Sequence, residues 1–241
     1  MKVLVVGGSG IVGTLITPFL AEKHTLRIFD LHPPQEHHFD YYEGDVTQYD
    51  DLVPAMSGMD ALIYLAMGNL QWKEISGVVT AFDVNVKGLY LALLAAHQAG
   101  ITQAVYASTM SVYAEDLMQR YFSDEDLTPD SREFYGFTKY LGEQVCMNAT
   151  RLWGMNVNAL RLCHPMSEDK WKSETILGVP TIATTGEDVA RAFLAALDFC
   201  GGYQAFTISG DYEYKIMNMS KAKRLLGWEP LARPTRHIAD T

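Results

Sequence analysis

A cluster of glycines near the start of the chain constrains the fold more than any other feature. It follows a short apolar run, Lys2–Val6, which is typical of a buried β-strand. Gly8, Gly10 and Gly13 have the spacing G-x-G-x-x-G, and Gly7 with the last two fits a wider-spaced variant. Such glycines allow a tight turn, a close approach of the backbone to a pyrophosphate, and close packing of a helix on a strand. A glycine-rich turn without a ligand has the same pattern, so the interpretation depends on the residues around it.

An acidic residue lies where a dinucleotide site needs one. Residues 25–29 form a second apolar run that ends at Asp30, and a break at His32-Pro33-Pro34 follows. A carboxylate at the end of the second strand can accept hydrogen bonds from the adenosine ribose hydroxyls. The same carboxylate repels the 2′-phosphate of NADP, and no Arg follows it in this loop. The glycine cluster and Asp30 together predict an NAD site.

Strand-like and helical stretches alternate through the first two-thirds of the chain, which predicts an α/β fold with a doubly wound parallel sheet of the Rossmann type. The predicted strands are residues 2–6, 25–30, 39–43, 61–66, 104–108, 156–162 and 204–209. The predicted helices are residues 11–23, 78–99, 135–152, 186–199 and 220–228. Residues 115–133 and 166–185 show no clear period and are predicted to be irregular. The 241 residues suit a single NAD(P)-binding domain over 1–241, with 166–185 and 210–241 as a small substrate-side portion.

Composition argues against several other classes of function. The formal net charge of −10 disfavours nucleic acid, whose phosphates require clustered Lys and Arg. The three cysteines, Cys146, Cys163 and Cys200, form no C-x-x-C pair or Cys/His cluster, so we expect no metal site and a reducing, cytoplasmic environment. No apolar run approaches the length of a membrane span, and the N-terminal apolar residues are predicted to be a strand instead of a signal peptide.

Tyr135 and Lys139 have the spacing of a catalytic pair. The i, i+4 separation places both on one face of the predicted helix 135–152. An ammonium beside a phenol favours the phenolate, lowers its pKa and makes it a usable base. A surface pair of the same spacing arises readily by chance, but this pair opens the helix after the fifth strand, beyond a loop that can cover a ligand.

Two further polar segments lie where a ligand would bind. Ser108 and Thr109 end the fifth strand, and ligands of open α/β sheets bind outside the carboxyl ends of strands. Asn85 lies early in the long helix that follows the fourth strand. Hydroxyls that cap a turn and an amide that caps a helix start are the structural alternatives for these residues.

The motifs, in this order, resemble the extended short-chain dehydrogenase/reductases, a group of NAD-dependent sugar epimerases, dehydratases and uronate dehydrogenases. The resemblance covers nearly the whole chain. It rests on the following segments: residues 7–13, Asp30, 44–47, 60–66, 85–88, 107–113, 135–139, Leu160-Arg161, 187–190 and 220–228.

The resemblance implies a role for each site residue. Tyr135 is the base, Lys139 its partner and ligand of the nicotinamide ribose, Thr109 the catalytic hydroxyl, and Asn85 a residue that orders the site. The implied cofactor residues are Gly7, Gly10, Ile11, Val12, Gly13, Asp30, Asp45, Val46, Leu65, Ala66, Met67, Asn85, Ser108, Tyr135, Lys139 and Cys163. The implied substrate residues are Thr109, Tyr135, His164, Lys170 and Lys172.

Departures from the family pattern bear on the substrate. Met67 replaces an alanine, a threonine stands in the serine position, and the insertions that grip a nucleotide-sugar are largely missing between the sixth strand and the next helix. A small carbohydrate is therefore expected in preference to a nucleotide-sugar. Lys170 and Lys172 flank Trp171 and can hold a carboxylate beside a stacked sugar ring, as suits a uronate; solvated loop charges are the alternative.

The sequence thus predicts an NAD-dependent oxidoreductase that acts on a sugar or sugar-acid hydroxyl. A nucleotide-sugar epimerase and an NAD-binding regulatory protein without catalysis are the alternatives, and retention of Tyr135 and Lys139 disfavours the latter. A reductase of non-sugar carbonyls prefers NADP, which Asp30 disfavours. A homodimer is expected, because helices 78–99 and 135–152 carry more apolar surface than one face of a sheet needs. The apolar residues behind this expectation are Leu89, Leu91, Leu93, Leu94, Phe137, Tyr140, Leu141 and Val145.

Overall fold

A seven-stranded parallel sheet forms the centre of the molecule in the computed structural model, which describes residues 1–36, 38–69, 71–114, 116–118, 125 and 127–237. Its strands are β1 Lys2–Val6, β2 Thr25–Asp30, β3 Asp40–Glu43, β4 Ala61–Tyr64, β5 Gln103–Thr109, β6 Asn156–Leu162 and β9 Tyr203–Ile208. Two short strands, β7 Pro165–Met166 and β8 Thr184–Thr185, pair separately. The order in the large sheet is β3-β2-β1-β4-β5-β6-β9, so the order reverses between β1 and β4. This is a doubly wound sheet, and the predicted fold class is confirmed.

Helices cover both faces of the sheet. They are α1 Ile11–Ala21, α2 Tyr49–Ala55, α3 Ile75–Phe82, α4 Leu89–Gln98, α5 Phe134–Trp153, α6 Glu168–Glu174 and α7 Gly186–Asp198. Along β1, Val3 and Val5 join the apolar core under α1 and α7, whereas Leu4 and Val6 join the core under α2, α4 and α5. Successive strand residues point to opposite faces, so this near-continuous apolar run is what a strand buried on both sides requires.

Two helical segments differ from the sequence-based prediction. Residues 166–185 were expected to be irregular, but they contain α6, whose first turn is capped by the Ser167 side chain accepting from the Lys170 N–H. The helix α2 was not predicted, because it is only seven residues long and contains Pro54. The predicted basic helix near the C-terminus is a short π-helical segment, Ala222–Leu226. Part of the predicted loop 115–133 lies outside the described residues.

The long predicted helix 78–99 begins earlier and is not uniform. It runs through α3, a π-helical segment Asp83–Gly88, and α4. The Tyr64 hydroxyl donates to the Val84 carbonyl at 2.6 Å, which supplies a partner for a carbonyl in the widened turn. This turn brings Asn85 to the buried side of the helix, close to the end of β4.

The same helix corrects the expectation that no apolar run reaches membrane-span length. Among the described residues, Ile75–Gln98 is long and apolar enough to cross a membrane by length and composition alone. It also packs beside α2 and α5 over the sheet, and it carries the ion pair Asp83–Lys87 at 3.2 Å. An apolar core helix of this kind passes the same test of length and hydropathy.

Candidate active site

The turn after β1 is shaped by contacts that only glycine permits. Gly7 has φ +81°, and a Cβ there would lie 2.4 Å from the Ala66 nitrogen. A Cβ on Gly13 would lie 2.2 Å from the Gly8 carbonyl oxygen, so α1 packs directly on the turn. Among the described residues, no side chain caps the first turn of α1. Its free backbone N–H groups and the positive end of the helix dipole therefore fit a pyrophosphate.

A cavity of about 630 Å³ opens at the carboxyl ends of the central strands. It extends from the glycine turn to α5 and to the segment after β6. The predicted site residues in its wall are Gly7, Gly10, Ile11, Val12, Asp30, Asp45, Val46, Leu65, Ala66, Met67, Ser108, Thr109, Tyr135, Lys139, Cys163 and His164. Within the described part of the chain, Gly13, Asn85, Lys170 and Lys172 do not line it. One continuous space thus joins the predicted nucleotide residues to the predicted catalytic ones.

Asp30 is held in a fixed position at the end of β2. Its Oδ2 accepts from the Ser9 N–H at 3.0 Å, and its Oδ1 accepts from the His32 N–H at 3.3 Å. The Ser9 hydroxyl in turn donates to the His32 carbonyl at 2.7 Å. The carboxylate is therefore pinned between the glycine turn and the loop after β2, where it lines the cavity.

Tyr135 and Thr109 both line the cavity. Thr109 ends β5, its Oγ1 accepts from the Ser111 N–H at 3.1 Å, and its side chain favours the charged form of the Tyr135 phenol. The start of α5 reaches this position because residue 136 is glycine: a Cβ there would lie 1.8 Å from the Ser111 carbonyl oxygen. A phenol and a hydroxyl that line the same cavity can both bind the oxygen of a substrate alcohol.

Lys139 does not act on Tyr135 as predicted. Its Nζ donates to the Ala107 carbonyl at 2.9 Å and lies 5.1 Å from the centre of the Tyr106 ring. Burial lowers the pKa of Lys139 to about 8. Burial also raises the pKa of Tyr135, and the Thr109 side chain only partly opposes that shift. The expectation that the ammonium lowers the pKa of Tyr135 is wrong for this arrangement, because burial is the largest cause of the shift and Lys139 is not among its causes.

Asn85 connects three parts of the site without lining the cavity. Its Oδ1 accepts from the Gly68 N–H at 3.0 Å, and its Nδ2 donates to Thr138 Oγ1 at 3.0 Å. Thr138 Oγ1 donates to the Tyr135 carbonyl at 2.9 Å. Asn85 therefore ties the loop after β4 to the first turn of α5, which is an ordering role rather than direct contact with a ligand.

A buried ion pair under the site was missed by the sequence reasoning. Glu143 accepts from Arg161 Nε at 2.9 Å and from its second terminal nitrogen at 2.7 Å. Glu143 also accepts from the Ser108 hydroxyl at 2.6 Å, which turns that side chain inward. A charged residue one turn after Lys139, on the buried face of α5, was the available signal. The pair fixes the ends of β5 and β6 to α5.

The segment after β6 closes the other side of the cavity. Burial raises the pKa of Cys163 to about 12, so its thiol stays neutral. His164 is exposed and has φ +38°, a left-handed conformation that is rare for residues other than glycine. The pairing of Pro165 with Thr184 and the bond from the Thr184 N–H to the His164 carbonyl hold it there. Backbone strain of this kind is concentrated at functional sites.

Lys170 and Lys172 do not form the expected carboxylate clamp. Both are exposed on α6, and Lys170 lies 3.7 Å from Glu174 in an i, i+4 pair. Trp171, between them, is 2% exposed and donates from its indole nitrogen to the Ala183 carbonyl at 2.8 Å. The capped helix turns the tryptophan into the core, so it cannot stack on a sugar. In the described part of the chain, no group of three His, Cys, Asp or Glu residues could hold a metal ion.

The sequence matches a known family and several characterised proteins. The profile of the NAD dependent epimerase/dehydratase family matches residues 3–179. A 3-beta-hydroxysteroid dehydrogenase from Mycolicibacterium neoaurum is 31% identical over 173 residues, which cover 66% of this chain and 46% of that protein. A UDP-glucose 4-epimerase from Lactobacillus helveticus is 26% identical over 169 residues, 67% of this chain and 51% of that protein. The chain spans about half the length of these two relatives.

Solved structures show the same fold over almost the whole chain. UDP-N-acetylglucosamine 4-epimerase from Bacillus cereus superposes with a TM-score of 0.79 at 18% identity, covering 97% of this chain and 92% of that one. A mutated uronate dehydrogenase gives a TM-score of 0.79 at 18% identity, covering 96% and 82%. At these identities the likeness concerns the fold.

Proposed function

The chain belongs to the NAD-dependent epimerase/dehydratase family, and from this premise we propose that it oxidises a hydroxyl of a sugar or sugar acid. NAD is the cofactor, as predicted from the glycine turn and Asp30. The observation that carries the proposal is that Tyr135, Thr109 and Lys139 line the same cavity as the glycine turn.

The residues at the nucleotide end fit NAD by shape and charge. The Gly7–Gly13 turn and the uncapped start of α1 would hold the pyrophosphate, and Asp30 would accept from the adenosine ribose hydroxyls. Asp45 and Val46 would flank the adenine, and Leu65, Ala66 and Met67 would line the middle of the cofactor. When bound, NAD supplies the acceptor for the hydride of the substrate carbon.

The residues at the other end handle the proton. In its phenolate form, Tyr135 takes the proton of the substrate hydroxyl, and Thr109 donates a hydrogen bond that steadies the oxygen. Lys139 keeps a positive charge behind the end of β5 at neutral pH, since its pKa of about 8 leaves it largely protonated. Asn85 and Thr138 hold the first turn of α5 in place. His164 contacts the substrate from the opposite wall.

We place the substrate among small carbohydrates. Only residues 163–185 separate β6 from α7, and this segment is filled by α6 and the β7–β8 pair. Residues 166–185 and 210–241 form the substrate-side portion in this proposal. The positions of Lys170 and Lys172 remove the support for a carboxylate clamp at α6, so size is the stronger part of the proposal.

A second candidate substrate is favoured by apolar side chains in the cavity wall. Met67, Met110 and Leu117 line the same cavity as Tyr135 and Thr109. Such a wall suits a ring alcohol with few polar groups, and one relative is a 3-beta-hydroxysteroid dehydrogenase. The proton-transfer residues are the same in both cases, so only the substrate distinguishes them.

A substrate screen with NAD tests the proposal. Glucose, galactose, glucuronate, galacturonate, UDP-glucose, UDP-galactose and a 3β-hydroxysteroid are offered, and NADH formation is measured. We expect turnover of a free sugar or sugar acid, and none by Tyr135→Phe. Turnover of the steroid alone favours the second candidate. Oxidation or epimerisation of the nucleotide-sugars alone would overturn the small-carbohydrate proposal.

A further inference from the structure

An aromatic side chain outside the predicted site lies directly on Tyr135. The indole of Trp72 stacks on the phenol ring with the ring centres 5.5 Å apart and an angle of 6° between the planes. The ring centre of Phe134 lies 6.1 Å from that of the same indole. Phe82 packs edge-on against Phe134, with the ring centres 5.6 Å apart. Offset stacking at this separation is a favoured aromatic arrangement. Within the described part of the chain, Trp72 does not line the cavity.

The segment that carries Trp72 is anchored on both sides. Before it, Gly68 donates to Asn85 Oδ1 and packs so closely on α3 that a Cβ would lie 2.5 Å from the Thr80 carbonyl oxygen. After it, a Cβ on Gly77 would lie 2.2 Å from the Gln71 carbonyl oxygen. Two close backbone approaches thus fix the loop against α3. The indole is consequently presented to Tyr135 by a defined backbone.

The surroundings of Tyr135 show what the indole contributes. Lys139 on α5 lines the same cavity as the phenol, and Tyr106 on β5 is near enough for the two phenols to interact electrostatically. Lys73, Glu74, Arg132 and Glu133 on the adjoining segments are exposed, whereas Glu143 on α5 is buried in its pair with Arg161. The indole covers one face of the phenol and shields that face from water.

We infer that Trp72 is a positioning residue: it holds the Tyr135 ring in the orientation for proton transfer and excludes water from the ring face that it covers. The inference rests on the proposed function of Tyr135. A base held by its backbone alone can rotate about two side-chain bonds, and small misplacements of reacting groups cost large factors in rate. Stacking removes that freedom while leaving the hydroxyl free to meet Thr109 and the substrate.

Kinetics of three variants test the inference. Trp72→Ala is expected to lower kcat by ~10-fold or more with KM changed by less than about threefold, because orientation and not binding is lost. Its kcat–pH profile should move to lower pH, since the phenol gains access to water. Trp72→Phe keeps a stacking ring and should restore kcat to within about threefold of wild type. Trp153→Ala is the matched control, because Trp153 stacks on His97 at the same 6° angle, between α4 and α5.

A spectroscopic measurement separates this inference from the proposed function. Near-ultraviolet circular dichroism of Trp72→Leu and Tyr135→Leu should each show loss of the same band from the stacked pair, whereas Trp153→Leu should not. This readout needs no substrate. If the band behaves so while no substrate is oxidised, the proposed function fails and the stacking stands. An unchanged kcat and pH profile in Trp72→Ala, or a Trp72 signal indifferent to Tyr135→Leu, would overturn the inference.

Discussion

Tyr135 and Lys139 share one face of α5, and burial disfavours the charged form of both residues. The pKa of Tyr135 is raised by burial, so the resting phenol is protonated at neutral pH. Lys139 keeps a charge that burial opposes, with the Ala107 carbonyl as its hydrogen-bond partner. Both features depend on which side chains surround the pair, and spacing within α5 could not predict them.

The buried Lys139 charge costs stability at neutral pH. Its pKa falls from the ordinary 10.5 to about 8 on folding, so the unfolded chain binds more protons between these values and stability rises with pH across that window. At neutral pH the free energy of unfolding of Lys139→Met is therefore expected to be about 1–3 kcal/mol higher than that of the wild type. The variant is also expected to lose activity. Chemical denaturation at neutral pH and above pH 10 measures this. If the stability difference between Lys139→Met and the wild type does not shrink as the pH rises, burial of the Lys139 charge is not its cause.

Asp30 is expected to set the preference for NAD over NADP. Its carboxylate lines the cavity between Ser9 and His32, where a 2′-phosphate would meet a like charge. Asp30→Ser keeps a hydrogen-bonding group but removes the charge, and should narrow the ratio of the two dissociation constants by roughly tenfold, which corresponds to about 1.4 kcal/mol. Calorimetric titration with both cofactors gives the ratio. Equal or tighter binding of NADP by the wild type would reject the assignment.

At the level of elements, local patterns were the predictable part. The strands and longer helices follow from apolar runs, and the glycine turn follows from its spacing. Trp72 meets Tyr135, and Ser108 meets Glu143, only through packing of segments far apart in sequence. The helix α6 was missed because seven residues carry too little periodicity, although its Ser167 cap and acidic first turn were visible. Trp171 was accordingly assigned to a ligand when it belongs to the core.

The Glu143–Arg161 pair is expected to hold α5 to β6. Both side chains are buried, so Glu143→Leu leaves an unpaired guanidinium and should lower the free energy of unfolding by about 3–5 kcal/mol. Glu143→Leu combined with Arg161→Leu should recover part of the loss. Glu174→Ala, which breaks the exposed pair with Lys170, is the control and should cost less than about 1 kcal/mol. Equal losses from the buried and the exposed pair would refute this role.

At the scale of the whole molecule, three helices that pack on one face of the sheet carry exposed apolar side chains. These are Ile75, Val79, Phe82, Tyr90 and Phe137 on α3, α4 and α5. The sequence-based expectation included Leu89 and Leu93, but these two residues are buried against the sheet. The residues that face outward therefore differ from those predicted. Helical periodicity shows which residues share a face, but it does not show which face packs on the sheet.

We expect this surface to pair with a second copy of the chain. Val79 and Phe137 are 52% and 44% exposed, and an apolar surface shared by neighbouring helices suits an interface between protein chains. Val79→Asp with Phe137→Asp should shift sedimentation from dimer to monomer at micromolar concentration. Leu231→Asp, at another exposed apolar residue, is the control and should leave the dimer intact. A wild type that sediments only as a monomer would contradict the pairing.

In the proposed function, one cavity joins an NAD site to a tyrosine base. NADH formation and NAD binding are measured together, in wild type and in Tyr135→Phe, with the sugar or sugar acid that turns over best. We expect the variant to bind NAD with nearly unchanged affinity and to lose at least ~10² in rate, the contribution expected of a general base. Turnover by Tyr135→Phe at the wild-type rate would contradict it.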